Sequence, residues 1–102
     1  MVEIIRPGVK MKDLFKLGMD IVQKKYPNFK RPNLGHNLGV FVHEEPDIGP
    51  NEVTLEPGMI LAVEVPYYVP GVIGVNVEND VLVTERGYEI FDADLPTTLF
   101  VR

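Results

Sequence analysis

The sequence predicts an α+β unit, and three observations carry that expectation. Apolar residues recur at helical spacing only near the N-terminus, short β-branched runs follow, and Pro, Gly, Asn and Asp separate those runs. A single helix ahead of a series of antiparallel strands is the architecture this order describes.

The helix is placed between residues 8 and 26. Met11, Leu14, Phe15, Ile21, Val22 and Tyr26 fall at three- and four-residue spacings, with Gly18 on their stripe and Lys10, Lys12, Lys16 and Lys24 mostly opposite. Pro27 has no amide hydrogen to continue the ladder, so the helix ends near Lys25 and residues 27–33 read as a loop. Beyond it, residues 40–42, 59–65, 72–77, 81–84 and 88–91 read as strands. No internal repeat, low-complexity stretch or linker divides the chain, so residues 1–102 are expected to form one unit with a modest core.

Composition narrows the function classes. Hydrophobic residues make up 45% and charged residues 25%, an ordinary globular balance, and no apolar run approaches the roughly 20 residues of a membrane helix. A membrane partner is not expected. The first seven residues lack a basic segment followed by an apolar stretch, so the expected location is cytoplasmic. With no cysteine there are no disulfides and no thiolate ligands, and any metal must be held by imidazole and carboxylate. The net charge of −5 is unevenly spread: residues 1–35 hold eight Lys or Arg against three acids, residues 36–102 two Arg against twelve acids. The cations are dispersed along the helix, which reads as a solvated face and not as a nucleic-acid surface.

Both histidines lie in Gly35-His36-Asn37-Leu38-Gly39-Val40-Phe41-Val42-His43-Glu44-Glu45-Pro46. A histidine between glycines beside a strand is commonly a turn residue. The glycines would equally let the backbone approach a bound ion, and two imidazoles seven residues apart can share a cleft. Glu64 follows the apolar run Met59-Ile60-Leu61-Ala62-Val63. Either it lies inside the strand, where a buried carboxylate needs a partner, or the strand stops at Val63 and Glu64 opens a turn through Pro66, Tyr67 and Tyr68. Glu78 precedes Asn79 and Asp80 between two valine runs, a pattern that favours a hairpin turn there.

Several of these segments together resemble the pita-bread metallopeptidases, the family of Xaa-Pro dipeptidases, aminopeptidases P and methionine aminopeptidases. Residues 35–46 are similar to its GHxxGxxxHExP signature, Leu55-Glu56-Pro57-Gly58-Met59 to its LxPGM, and residues 74–84 to its GxxxExxxxVT strand. Pro7-Gly8 is similar to a PG that joins two family helices. The resemblance implies the C-terminal half of a catalytic domain, with His36, Glu64 and Glu78 as metal ligands and His43 as a second active-site histidine. It also implies that Glu78 lies on one continuous strand, against the hairpin reading. The implied chemistry is hydrolysis of an N-terminal peptide bond with a divalent ion (Mn, Co or Zn) activating water. Glu64 would relay a proton and His43 would hydrogen-bond the substrate carbonyl, with Glu44 and Glu45 positioning the loop.

Departures from the family pattern are informative. Its complete site is dinuclear and includes two upstream aspartates; Asp13 and Asp20 lie on the predicted helix and do not fit that motif. At most one weakly held ion and little activity are therefore expected of these residues alone, with a separate N-terminal half as the missing partner. Glu64 is followed by Val65-Pro66 where prolidase-like members read PG, Asn76 replaces an arginine two positions before the second glutamate, and Asn79 replaces an acid after it. Proline specificity is thus not implied. Two other functions fit the same residues, a non-catalytic assembly module and a hydrolase of small non-peptide C–N bonds. An apolar face left over from the half-domain predicts a homo-oligomer, most simply a dimer.

Overall fold

The helix owes its start to a distant loop. In a computed structural model that describes residues 1–96 and 98, α1 (Met11–Gln23) follows a short 3₁₀ turn (Val2–Ile4) and has Lys10 as its N-cap, with no capping side-chain bond. Its first amides are satisfied instead by backbone carbonyls: Met11 N donates to Val53 O at 2.9 Å and Lys12 N to Asn51 O at 3.2 Å. Lys10 and Lys12 sit at the positive end of the helix dipole, which is unfavourable. Glu52 offsets this, accepting from Lys10 Nζ at 2.7 Å and also from Lys12 Nζ. At the other end Lys25 and Tyr26 amides donate to Val22 O before Pro27 ends the ladder. The end of the expected unit, residues 97 and 99–102, lies outside the described residues.

Among the described residues six strands follow: β1 (Gly35–Leu38), β2 (Ile60–Glu64), β3 (Tyr67–Val69), β4 (Ile73–Val75), β5 (Glu78–Val83) and β6 (Tyr88–Ile90). β1, β2, β5 and β6 form one antiparallel sheet in the spatial order β1-β2-β5-β6, and β3 and β4 form a separate hairpin. Alternation along β2 decides the faces. Leu61 and Val63 turn inward, and with Val81 and Val83 of β5 they join Met11 and Leu14 of α1 in one buried cluster with Ile5, Leu34, Ile48 and Leu55. Ala62 and Glu64 turn to the opposite face.

Four expectations need correction. Residues 40–42 are not a strand: Val40, Phe41 and Val42 are 93%, 71% and 71% exposed. Asn37 and Glu44 exchange backbone hydrogen bonds at 3.2 and 3.0 Å, which pinches the apolar triplet out as a loop. The strand lies earlier, at β1, where the glycine and polar residues disguised it. Asn79 and Asp80 form no hairpin turn, because both are paired inside β5, opposite Val63 and Ala62. The chain breaks its pairing earlier, at Asn76 and Val77, so the strand expected over residues 72–77 is only β4. Finally, Tyr67 and Tyr68 are not a simple turn but the first strand of the β3–β4 hairpin, with Tyr67 opposite Val75.

Gly35 fixes the β1–β2 register. Its φ of +134° is one that side chains disfavour, and a Cβ there would fall against the carbonyl oxygen of Ala62. Gly58 has φ +91° but open space around it. Gly58→Ala is expected to cost about 1–2 kcal/mol, the usual penalty for a side chain in this region. Gly35→Ala should cost more than Gly58→Ala, because backbone must also move; urea unfolding of the two variants measures the difference.

The Glu52 clasp sets a second expectation. Hydrogen bonds from Lys10 and then Lys12 lower its carboxyl from 4.5 to about 2. A lowered folded-state value contributes stability that is present above pH 4.5 and is lost as the pH falls from there towards about 2. The group is fully exposed, so the effect is small and weakened by salt. In thermal melts between pH 6 and 2, Glu52→Gln should flatten this part of the acid destabilisation; an unchanged profile at low salt would show the clasp to be inert.

Candidate functional site

The sheet face turned away from the core collects the polar residues of interest. The pairing sets His36 opposite Ala62, Ala62 opposite Asp80, and Glu64 opposite Glu78, so all four titratable residues share that face. Ala62, fully buried between His36 and Asp80, keeps the centre of the row narrow. His36 is 5% exposed, and its Nε2 lies 4.0 Å from Glu64 Oε1, too far for a direct hydrogen bond. Nδ1 of the same ring is 3.2 Å from Asn37 O. The other carboxylate oxygen of Glu64 is occupied, since Asn76 Nδ2 donates to Oε2 at 2.7 Å. One oxygen is thus tethered and the other faces the imidazole. Glu64 sits inside a strand with a polar partner, which decides between its two readings.

His43 arrives by a different route. Pinching at Asn37 and Glu44 folds residues 39–43 back on β1, and the His43 ring comes to 3.9 Å from the His36 ring, tilted by 31°. Glu44 braces this loop, its Oε1 accepting from Phe41 N at 2.9 Å, while Glu45 Oε2 accepts from Asp47 N at 3.4 Å. Both acids therefore hold backbone, as expected of loop-positioning residues. His43 itself is exposed.

Glu78 is also exposed, at the first position of β5, where its backbone is aligned with Glu64. Asp80, two residues on, has a buried Oδ1 without a hydrogen-bond partner. Sequence reading passed over Asp80 because it was assigned to a turn. Its signal was the two-residue spacing from Glu78, which on a strand places both acids on one face. Asn79 points to the other face and donates to Asp92 at 3.1 and 3.2 Å.

Imidazole and carboxylate oxygen are the donors a hard or borderline divalent ion takes. Their convergence falls short of a cage: among the described residues no three His, Asp or Glu side chains come together closely enough to hold an ion. Asp13 and Asp20 lie on α1, and Asp20 is paired with Lys16 at 2.6 Å. The chain brings His36 and Glu64 together and aligns Glu78 beside them on the same face. Among the described residues, no helix is long and apolar enough to cross a membrane.

Comparison with known proteins bears on the fold and the family. The profile of Metallopeptidase family M24 matches residues 1–85. An uncharacterized peptidase of Staphylococcus epidermidis is 45% identical over 91 residues, covering 87% of this chain and 26% of that protein. An uncharacterized peptidase of Staphylococcus aureus is 41% identical over the same length. The chain thus spans about a quarter of the length of the curated relatives it matches. Among solved structures, the X-Pro aminopeptidase from Thermotoga maritima superposes with a TM-score of 0.86 at 35% identity, over 99% of this chain and 29% of that one. The Xaa-Pro dipeptidase from Bacillus anthracis gives 0.83 at 34%, over 96% and 28%, and the prolidase from Pyrococcus furiosus 0.80 at 34%, over 87% and 27%. The pita-bread resemblance and the α+β fold read from the sequence are borne out. With a family profile spanning residues 1–85 and relatives 45% and 41% identical, this chain belongs to metallopeptidase family M24.

Proposed function

We propose that residues 1–102 form the C-terminal half of a metal-dependent aminopeptidase or dipeptidase catalytic domain, with His36, Glu64 and Glu78 as its share of the metal ligands. The observation that carries this reading is the placement of all three on one sheet face, with His36 Nε2 and Glu64 Oε1 separated by 4.0 Å. Remaining ligands come from residues outside this chain, so hydrolysis by these residues alone is close to background. A divalent ion, when bound, supplies Lewis acidity. The part played by this chain is positional: Asn76 holds one Glu64 oxygen and leaves the other free to ligate or to carry a proton to the leaving amine. His43, its ring tilted at 3.9 Å from that of His36 and open to solvent, would donate an N–H to a substrate carbonyl. Substrates are peptides with a free N-terminus, and proline selectivity is not part of the reading because Asn76 stands where prolidase-like members carry arginine.

Calorimetric titration with Mn²⁺ or Co²⁺ tests it. At most one weak site per chain is expected, weakened further by Glu64→Ala and by Glu78→Ala, and unchanged by Asp13→Ala on α1. Two tightly held ions in the isolated chain, or binding indifferent to both glutamates, would overturn the assignment.

Assembly follows from the same incompleteness. Val40, Phe41, Val42, Val72, Val77 and Leu95 are each more than half exposed, apolar surface that a monomer leaves in water. In the proposed enzyme this surface is covered by the complementary half, and in its absence by a second copy, most simply through a twofold dimer. Light scattering at micromolar concentration is expected to report a dimer, shifted towards monomer by Phe41→Lys. A stable monomer that binds no hydrophobic dye would refute this.

A further inference from the structure

A cavity of about 480 Å³ lies between the loop that leaves α1 and the start of β3, apart from the residues assigned to the metal face. Its size suits a small molecule, since ligand pockets commonly run from about 300 to 1,000 Å³. Lys25, Lys30 and Arg31 line it, and among the described residues no carboxylate does. In a chain with a net charge of −5, three cations without an acid around one cavity are a local reversal of sign. Arg31 adds a separate observation: its Nε is buried and has no hydrogen-bond partner. Arg31 is half-buried and forms no ion pair among the described residues, so an anion in the cavity would be its first charged partner.

Aromatic side chains line the same cavity, and Lys25 Nζ lies 5.4 Å from the centroid of the Tyr26 ring. The rings of Tyr26 and Tyr67 lie 5.2 Å apart and those of Phe29 and Tyr67 6.3 Å apart, the latter pair stacked at 22°, so the three make a continuous surface. Phe29 is 7% exposed and anchors this surface in the core, while Tyr26 and Tyr67 remain 42% and 38% exposed. Aromatic rings beside cations favour a ligand that is flat at one end and negative at the other.

We propose that this cavity is a binding site for a small flat anion, its ring against Tyr26 and Tyr67 and its carboxylate or phosphate against Arg31, Lys30 and Lys25. The site is independent of the metal face, and loss of metal binding has no bearing on it. Both kinds of anion present oxygen acceptors to the guanidinium, so the probes separate them.

The test is calorimetry or amide-shift titration of the full chain with benzoate and phenyl phosphate, alongside neutral benzamide and inorganic phosphate. One or both aromatic anions should saturate at low-millimolar concentration, the tighter identifying the preferred charge, with benzamide and inorganic phosphate at least about tenfold weaker. Arg31→Gln should weaken the aromatic anions about tenfold or more. Lys30→Gln provides the same readout if the first variant does not fold, as judged by circular dichroism. Tyr67→Leu should weaken phenyl phosphate and leave inorganic phosphate unchanged. The proposal is overturned if neither anion saturates, if benzamide binds as well as benzoate, if inorganic phosphate matches phenyl phosphate, or if folded charge variants bind as the parent does.

Discussion

Everything on the polar face depends on the alternation of one strand. β2 is paired on both edges, and burial of Leu61 and Val63 in the core leaves Ala62 and Glu64 no choice of direction. A slip of one residue would carry Glu64 into the core and turn Leu61 and Val63 onto the polar face, at a cost of several kcal/mol for the carboxylate alone. The position of a chemically important group is thus enforced by its apolar neighbours. His36 and Glu78 inherit their direction from the same register, and Gly35 makes that register possible by admitting the Ala62 carbonyl where a side chain would stand.

How far the sequence could be read follows from which signals are local. The helix was legible because its stripe is regular and Pro27 ends it, and β2 because its apolar run is bounded by Pro57-Gly58 and Pro66. β1 was hidden because Gly-His-Asn has no β-branched residue, and its strand character comes only from pairing with residues 60–63. Val40-Phe41-Val42 misled for the opposite reason: strong strand residues lie in a loop, since the bonds between Asn37 and Glu44 exclude them from the sheet. Asn79 and Asp80 are turn formers by local chemistry, yet opposite Val63 and Ala62 the ladder overrides that preference. The candidate site residues His36, Glu64, Glu78 and His43 were named from motifs. The shared face of His36, Glu64 and Glu78, the Asn76 tether on Glu64 and the approach of the two tilted histidine rings emerge only from the fold.

The Asn76 tether also bears on the arginine that the family resemblance implies at this position. An amide donating to one glutamate oxygen orients the carboxylate without adding a positive charge beside it. Arginine at that position would bring both a charge and a longer reach. The neighbourhood of Glu64 is therefore less cationic than the family pattern implies, while cations gather instead around Lys25, Lys30 and Arg31.

The start of α1 has a consequence for how the molecule is made. Its first amides bond to carbonyls of Asn51 and Val53, and its lysines to Glu52, partners about 40 residues away in the chain. A helix of 13 residues is marginal by itself in water. The closing of that long loop must precede its full stability, at an entropic cost that local contacts do not offset. Helix and sheet are thereby bound into one cooperative folding event, with little room for a helix that forms first and waits.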